Sequence, residues 1–158
     1  MSSSAKTRRL VIIGGVAAGM SAAARARRLD PDLEIVAYER TGYVSYGSCG
    51  LPYLIAGVVP RAADLIARTP DQFAKQGIEV RTHHEVTAID TSGKAVEVTD
   101  LDEGRQFSMS YDRLVIATGA SPILPSIPGT ELEGVFVLRN VEDGLAILNF
   151  LAEQEPRR

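Results

Sequence analysis

A single cysteine, Cys49, is the only thiol in this chain of 158 residues, and it lies in the segment Ser-Tyr-Gly-Ser-Cys-Gly-Leu-Pro-Tyr. Gly47, Gly50 and Pro52 predict a turn, and residues 51–56 predict a short helix with proline in its first turn. A sulfur at a helix N-terminus is stabilised as the thiolate, which is the nucleophilic form. The position favours a redox-active cysteine. The alternative is a buried cysteine that packs as a small hydrophobic residue.

A glycine-rich turn precedes this cysteine and has the pattern of a nucleotide-binding loop. Gly14, Gly15 and Gly19 follow a short apolar run, and residues 17–30 have strong helix propensity. Gly14 and Gly19 match the first and third glycines of the G-x-G-x-x-G pattern, whereas Val16 stands in the middle position. We expect Gly15, or a slightly different path of the loop, to leave the space that the middle glycine provides for a pyrophosphate.

The second predicted strand, residues 33–39, ends in a carboxylate. Glu39 lies about 20 residues after Gly19, a place from which an acidic side chain accepts hydrogen bonds from ribose hydroxyls in dinucleotide-binding folds. A carboxylate there also suits an unphosphorylated ribose better than a 2′-phosphate. The alternative is an ordinary exposed carboxylate at the end of a strand.

A further apolar strand, predicted over residues 111–117, ends abruptly at Thr118 and Gly119. Gly119 permits close approach of the backbone to a ligand, and Thr118 supplies a hydroxyl group. These residues therefore fit a strand end beside a ligand. They fit an ordinary transition from strand to turn equally well.

The order of the predicted elements indicates an α/β fold. The first strand, the first helix and the second strand form a βαβ unit with a parallel sheet. Thr69 and Pro70 predict the N-cap and the first residue of a short helix. Residues 85–111 favour a small antiparallel meander, which we expect to pack beside the parallel sheet. Residues 135–138 predict one more strand, and residues 141–154 predict a final helix.

Composition limits the classes of function. The chain is 45% hydrophobic and 23% charged, which suits one soluble domain, and its net charge of −3 argues against general nucleic-acid binding. No apolar run approaches the roughly 20 residues of a membrane-spanning helix, and the first apolar stretch is too short for a signal peptide. We therefore expect a cytoplasmic protein. Because His83 and His84 are predicted to face opposite sides of a strand, we expect no metal site.

In this order and spacing, the acidic strand end and the segments GGVAAG, SYGSCGLPY and YDRLVIATGASP resemble the N-terminal part of the pyridine nucleotide–disulfide oxidoreductase family. The likeness is greatest to the single-cysteine branch, which contains coenzyme A disulfide reductases, NADH oxidases and NADH peroxidases. Cys49 has no partner cysteine, which disfavours the branch with a redox-active pair. The resemblance implies a Rossmann-like FAD-binding domain over residues 1–158, without the NAD(P)H-binding and dimerisation domains of the family.

The resemblance also implies roles for individual residues. Cys49 is expected to be the redox nucleophile that works with the flavin. Ser48 precedes it where the family often has asparagine, which leaves a contact with coenzyme A open at this position. The implied set of cofactor-binding residues is Gly14, Gly15, Ala18, Gly19, Glu39, Arg40, Ser48, Val86, Thr118, Gly119, Ala120 and Ser121.

One face of the first predicted helix has residues that could bind a substrate. Ser21, Arg25 and Arg28 fall at i, i+4 and i+7 on one helical face, and arginine side chains pair well with phosphate groups. By resemblance these positions, together with Ser45, contact coenzyme A. A solvated outer face with a basic stripe accounts for them equally well.

The implied activity is that of an FAD-dependent oxidoreductase most like an NAD(P)H-dependent coenzyme A disulfide reductase. Its substrate would be coenzyme A disulfide or another small thiol or oxygen species. The alternatives are NADH oxidase or peroxidase chemistry, and a truncated FAD-binding fragment without catalysis. We expect negligible NADH turnover by this chain alone, homodimers among full-length relatives, and no nucleic-acid, membrane or metal partner.

Overall fold

The computed structural model describes residues 8–154, which divide into two compact units. Residues 8–45 and 68–119 belong to the first unit, and residues 46–67 and 120–154 belong to the second. The predicted single domain over 1–158 includes residues 1–7 and 155–158, which lie outside the described range. That prediction stays a prediction.

The described residues contain seven strands and four α-helices. The strands are β1 (Arg9–Ile13), β2 (Glu34–Tyr38), β3 (Ile78–Arg81), β4 (His84–Asp90), β5 (Ala95–Asp100), β6 (Gln106–Ser110) and β7 (Arg113–Ile116). The helices are α1 (Ala17–Leu29), α2 (Leu51–Ile55), α3 (Pro70–Ala74) and α4 (Val141–Gln154). A parallel sheet has the order β3-β2-β1-β7, and an antiparallel sheet has the order β4-β5-β6. The predicted fold class is therefore confirmed.

The parallel sheet of the first unit is covered on both faces, as its continuous apolar strands predict. Met20 and Ala23 of α1 join the buried cluster on one face. Val96 and Val98 of β5 join the cluster on the other face, where they pack with Val36 of β2. The expected packing of the meander beside the sheet is confirmed. Because β1 lies between β2 and β7, the carboxyl ends of these three strands lie along one edge of the sheet.

The start of α3 has the predicted capping residues. Thr69 Oγ accepts the N–H of Gln72 at 3.3 Å, and Gln72 Oε1 accepts the N–H of Thr69 at 2.9 Å. Pro70 occupies the first turn, where its missing N–H group costs no hydrogen bond. This reciprocal pair is a capping box, which fixes the chain direction just before β3.

The strand predicted over residues 135–138 is wrong, because this segment has no regular secondary structure. An apolar run forms a strand only where a neighbouring strand supplies hydrogen-bond partners, and no strand within residues 8–154 pairs with this one. Phe136 instead packs on Phe150 of α4, with the ring centroids 5.2 Å apart. The final helix is confirmed as α4. No helix in the described range is long and apolar enough to cross a membrane.

A carboxylate closes the turn between β5 and β6. Asp100 Oδ1 accepts the N–H of Glu103 at 3.2 Å and the N–H of Asp102 at 3.0 Å. These two donors, with the N–H of Glu103 contributing most, hold the pKa of Asp100 below its usual range. The ionised form of Asp100 therefore stabilises the folded chain.

The lowered pKa of Asp100 makes the free energy of unfolding depend on pH. The unfolded chain has an aspartate pKa of about 4, so the stabilisation is complete above that pH and is lost as the pH falls through the lower, folded value. We expect the free energy of unfolding of the wild type to fall more steeply below about pH 4 than that of Asp100→Asn, which keeps an acceptor oxygen but does not titrate. Urea denaturation at a series of pH values measures both slopes. Parallel pH profiles would contradict this prediction.

Candidate functional site

The glycine-rich turn joins β1 to α1 and packs closely on neighbouring backbone. Gly14 has a φ of +103°, in the left-handed region that favours glycine, and its N–H donates to the carbonyl of Tyr38 at 2.8 Å. A Cβ on Gly14 would collide with the carbonyl oxygen of Ala117, and a Cβ on Gly19 would collide with the carbonyl oxygen of Gly14. The first and third glycines of the pattern therefore permit the contact between turn, helix and sheet.

Gly15 leaves room for the side chain of Glu39. A Cβ on Gly15 would lie 2.9 Å from Glu39 Cβ and 2.8 Å from Val44 Cγ1. The N–H of Gly15 donates to Glu39 Oε2 at 2.7 Å. The missing side chain of Gly15 thus brings a carboxylate against the backbone of the turn, which the glycine pattern by itself does not predict.

Glu39 is held firmly just beyond the end of β2. It is only 7% exposed, so the alternative of an exposed carboxylate is wrong. Glu39 Oε1 accepts both the N–H of Thr41, at 2.9 Å, and its hydroxyl, at 2.8 Å. The backbone is also anchored, because the N–H of Glu39 donates to the carbonyl of Arg81 and its carbonyl accepts the N–H of His84. Sequence reasoning missed Thr41, although a threonine two residues after the acidic strand end was a visible signal.

The N-terminus of α1 has no side-chain cap among residues 8–154. Val16 occupies the N-cap position without a side-chain hydrogen bond, and the first turn of the helix contains no acidic residue. Ala17 and Ala18 are exposed, and the first N–H groups of a helix have no partner within the helix. Such a terminus suits a phosphate or pyrophosphate group. Glu39 Oε2, beside it, has a second lone pair for a hydroxyl group. These features fit the pyrophosphate and ribose of a dinucleotide.

The other predicted cofactor residues of the first unit lie on neighbouring segments. Thr118 and Gly119 follow β7, and Thr118 N lies 3.2 Å from the position of a Cβ on Gly14. Gly119 has a φ of +74°, so glycine suits this strand end. Arg40 is exposed and lies 4.0 Å from Glu85, the neighbour of the half-buried Val86 in β4. The structure thus brings Thr118 to the glycine turn and Arg40 beside the start of β4.

Cys49 belongs to the second unit and is exposed, so the alternative of a buried hydrophobic cysteine is wrong. The residues Ser48–Gly50 form one turn of 3-10 helix that runs directly into α2, which has proline in its first turn as predicted. A Cβ on Gly50 would collide with the side chain of Leu65, and the N–H of Gly47 donates to the carbonyl of Leu65 at 2.9 Å. Leu65 therefore packs against this turn, and Cys49 stays exposed within it.

Ala120 and Ser121 also belong to the second unit, and both are exposed. The carbonyl of Ala120 accepts a hydrogen bond from Arg139 Nε at 2.8 Å. This contact ties the residue to the segment that leads into α4. The predicted FAD-contacting run 118–121 is thus divided between the two units.

The residues predicted to contact coenzyme A occupy an open face of α1. Ser21, Arg25 and Arg28 are all exposed, and neither arginine has an ion-pair partner within residues 8–154. Arg27 differs, since its guanidinium donates to the carbonyls of Pro31 and Gly77, each at 2.5 Å. An open basic face remains compatible with either a phosphate site or a solvated stripe.

Ser45, predicted to contact coenzyme A, and the histidine pair, predicted to lie in a strand, have backbone conformations that the sequence did not indicate. Ser45 has a φ of +49°, and its N–H donates to the carbonyl of Gly15 at 2.9 Å, which places it against the glycine turn. The two histidines differ in backbone conformation. His83 precedes β4 and has a φ of +56°, whereas His84 is the first residue of the strand. The expectation that both histidines lie in one strand is therefore wrong for His83. No group of three or more potential metal ligands was found among residues 8–154.

Known proteins resemble this chain along almost all of its length. The sequence model of the family described as pyridine nucleotide-disulphide oxidoreductase matches residues 8–154. The NADH oxidase of Methanocaldococcus jannaschii is 38% identical over 92% of this chain and 32% of its own length. The coenzyme A disulfide reductase of Staphylococcus haemolyticus is 36% identical over 96% of this chain and 34% of its own length.

Comparison with solved structures gives the same result. The crystal structure of reduced Bacillus anthracis CoADR-RHD matches with a TM-score of 0.92 and 38% identity, over 96% of this chain and 28% of that one. The backbone of this chain therefore matches that structure over 96% of its length, although only 38% of the compared residues are identical. The chain spans about a third of the length of the curated relatives that it matches.

Proposed function

Because the chain belongs to the pyridine nucleotide-disulphide oxidoreductase family, we propose that it binds FAD and supports NAD(P)H-dependent reduction through Cys49. The observation that carries the proposal is the uncapped N-terminus of α1 beside the buried carboxylate of Glu39. The helix terminus offers N–H donors to a pyrophosphate, and the carboxylate offers an acceptor to a ribose hydroxyl.

Membership of the family supplies the remaining cofactor contacts of this proposal. Ala18, at the exposed start of α1, would contribute a backbone N–H to the pyrophosphate. Arg40 would lie beside the adenine, and the backbone of Val86 would meet the adenine edge. The set of cofactor-binding residues would be completed by Ser48, which precedes the cysteine, and by the run Thr118, Gly119, Ala120 and Ser121.

When bound, FAD would accept a hydride from NAD(P)H and pass two electrons to a sulfur acceptor. The thiolate of Cys49 would attack one sulfur of coenzyme A disulfide, form a mixed disulfide and release one coenzyme A thiolate. Two-electron reduction of that mixed disulfide would release the second coenzyme A and restore the Cys49 thiolate. The exposure of Cys49 supports this proposal, because thiol–disulfide exchange requires access to the attacking sulfur.

The proposed substrate site uses the open face of α1. Arg25 and Arg28 would pair with phosphate groups of coenzyme A, and Ser21 and Ser45 would add hydroxyl contacts. The absence of protein partners for both guanidinium groups within the described range supports this assignment. The relative from Staphylococcus haemolyticus, which is named a coenzyme A disulfide reductase, supports the same substrate class.

An NADH oxidase or peroxidase is the second candidate, favoured by the similarity to the enzyme of Methanocaldococcus jannaschii named NADH oxidase. In that chemistry a peroxide oxygen would oxidise the Cys49 thiolate to a sulfenic acid, with water or hydroxide as the leaving group. Two electrons and a proton would then return the thiolate and release water. Both candidates need the same exposed cysteine, whose sulfur would attack a disulfide sulfur in the first and a peroxide oxygen in the second. An oxidase would in addition have to reduce molecular oxygen to hydrogen peroxide with two electrons and two protons.

Binding of FAD tests the proposal directly. We expect the purified chain to bind FAD, seen as quenching of flavin fluorescence, and Glu39→Gln to weaken that binding about tenfold, because a hydrogen bond to an ionised group is lost. Glu34→Gln changes a carboxylate at the opposite end of β2, where Glu34 pairs with Arg9 at 2.8 Å, and should leave FAD binding unchanged. A wild-type chain that stays colourless after reconstitution with FAD would overturn the proposed function.

A further inference from the structure

We propose that Thr41 is a positioning residue that makes Glu39 selective for an adenosine ribose that retains its hydroxyl groups. The inference rests on the proposed function, since it requires the adenosine half of FAD to lie beside Glu39. It assigns a role in cofactor recognition to a residue that lies outside the glycine turn and beyond the acidic strand end.

The hydrogen bonds of the Glu39 carboxylate leave one acceptor position open. Each carboxylate oxygen offers about two lone-pair sites. Thr41 fills both sites on Oε1, with its N–H at 2.9 Å and its hydroxyl at 2.8 Å. The N–H of Gly15 fills one site on Oε2 at 2.7 Å. The remaining lone pair of Oε2 is therefore the position at which a ligand hydroxyl can donate.

The hydroxyl of Thr41 occupies the second acceptor site of Oε1, so that Oε2 is the one carboxylate oxygen that keeps a free lone pair. That hydroxyl has one hydrogen, and it lies closer to Glu39 Oε1, at 2.8 Å, than to the carbonyl of Tyr43, at 3.3 Å. A hydrogen bond to an ionised oxygen is also the stronger of the two. Without the hydroxyl, Oε1 would keep one lone pair free and the carboxylate would lose one of the three contacts that hold its orientation.

The surroundings of Glu39 hold its main chain and the base of its side chain in place. The side chain is buried, and Gly15 packs against its Cβ and Cγ. The backbone on either side is tied to Arg81 and His84. A substitution at Thr41 that removes only the hydroxyl therefore changes the carboxylate orientation while the main chain keeps its anchors.

A ratio of two affinities tests the role of Thr41. The probes are FAD and an FAD analogue whose adenosine half lacks both ribose hydroxyls. We expect the wild type to prefer FAD about tenfold, the value of one hydrogen bond to a charged group. Thr41→Val should reduce this preference at least threefold, and Thr41→Ser should retain it. Thr87→Val, which changes an exposed threonine of β4, is the matched control and should leave the ratio unchanged.

The possible outcomes separate this inference from the proposed function. Failure of the wild type to bind FAD overturns both. FAD binding with a wild-type ratio near one, or with an unchanged ratio in Thr41→Val, overturns only the role of Thr41. Equal weakening of both ligands by Thr41→Val indicates a merely structural residue and also overturns it. If Thr41→Val does not fold, the comparison of Thr41→Ala with Thr41→Ser gives the same decision.

Discussion

Cys49→Ser is expected to abolish covalent capture of coenzyme A by this protein. The wild type has one cysteine, and that residue is exposed, so incubation with coenzyme A disulfide should add the mass of one coenzyme A as a mixed disulfide. A serine hydroxyl does not exchange with disulfides, and the chain contains no other cysteine. Mass spectrometry of the intact protein measures the adduct, which should be complete for the wild type and absent from the variant.

The loss should be chemical and not a result of unfolding. Cys49 is exposed in its turn, so serine removes little packing, and we expect a change in unfolding free energy within about 0.5 kcal/mol. A second readout uses the FAD-loaded protein. Reduction should add a long-wavelength thiolate-to-flavin absorbance band to the wild type, and Cys49→Ser should lack that band.

Different oxidants distinguish the two candidate chemistries. Capture of coenzyme A supports the disulfide reductase. Failure to capture coenzyme A, with ready reaction toward a small uncharged disulfide, would contradict coenzyme A as substrate while leaving Cys49 a nucleophile. Formation of a sulfenic acid with hydrogen peroxide, without capture of coenzyme A, would favour the oxidase or peroxidase.

Gly14→Ala is expected to lower the free energy of unfolding by roughly 3–5 kcal/mol, because strain and overpacking act together at this position. The φ of +103° is unfavourable for alanine, and the added Cβ would collide with the carbonyl oxygen of Ala117. A backbone oxygen cannot move aside as a flexible side chain can. The turn must therefore separate from the end of β7, and chemical denaturation measures the cost.

Gly104→Ala is the matched control for this substitution. Gly104 has a φ of +68°, also in the left-handed region, but a Cβ there would meet no atom within 4 Å. Its replacement should therefore cost only the conformational strain, about 1–2 kcal/mol. Equal losses for the two variants would show that the contact with Ala117 contributes nothing.

Local signals in the sequence predicted much of the fold. The continuous apolar runs of β1 and β2 indicated buried parallel strands, and the alanine-rich segment after Gly14 indicated α1. Thr69 and Pro70 marked the start of α3 correctly, because capping depends on residues within one turn of the helix. The positions of Gly14 and Gly19 in the glycine pattern likewise follow from close backbone contacts that only glycine permits.

The tertiary structure decided which interactions these elements make. Burial of Glu39 and its contact with Gly15 join residues from two strand ends, and the hydroxyl of Thr41 acquires its role only after the carboxylate has been placed. The run 135–138 is apolar enough for a strand but lacks a neighbouring strand in the described range. Sequence alone therefore determined the glycine turn and identified Cys49 as the single thiol of the chain. Long-range packing decided the orientation of the Glu39 carboxylate and the path of the turn around Cys49, because their contacts with Gly15 and Leu65 join residues distant in the chain.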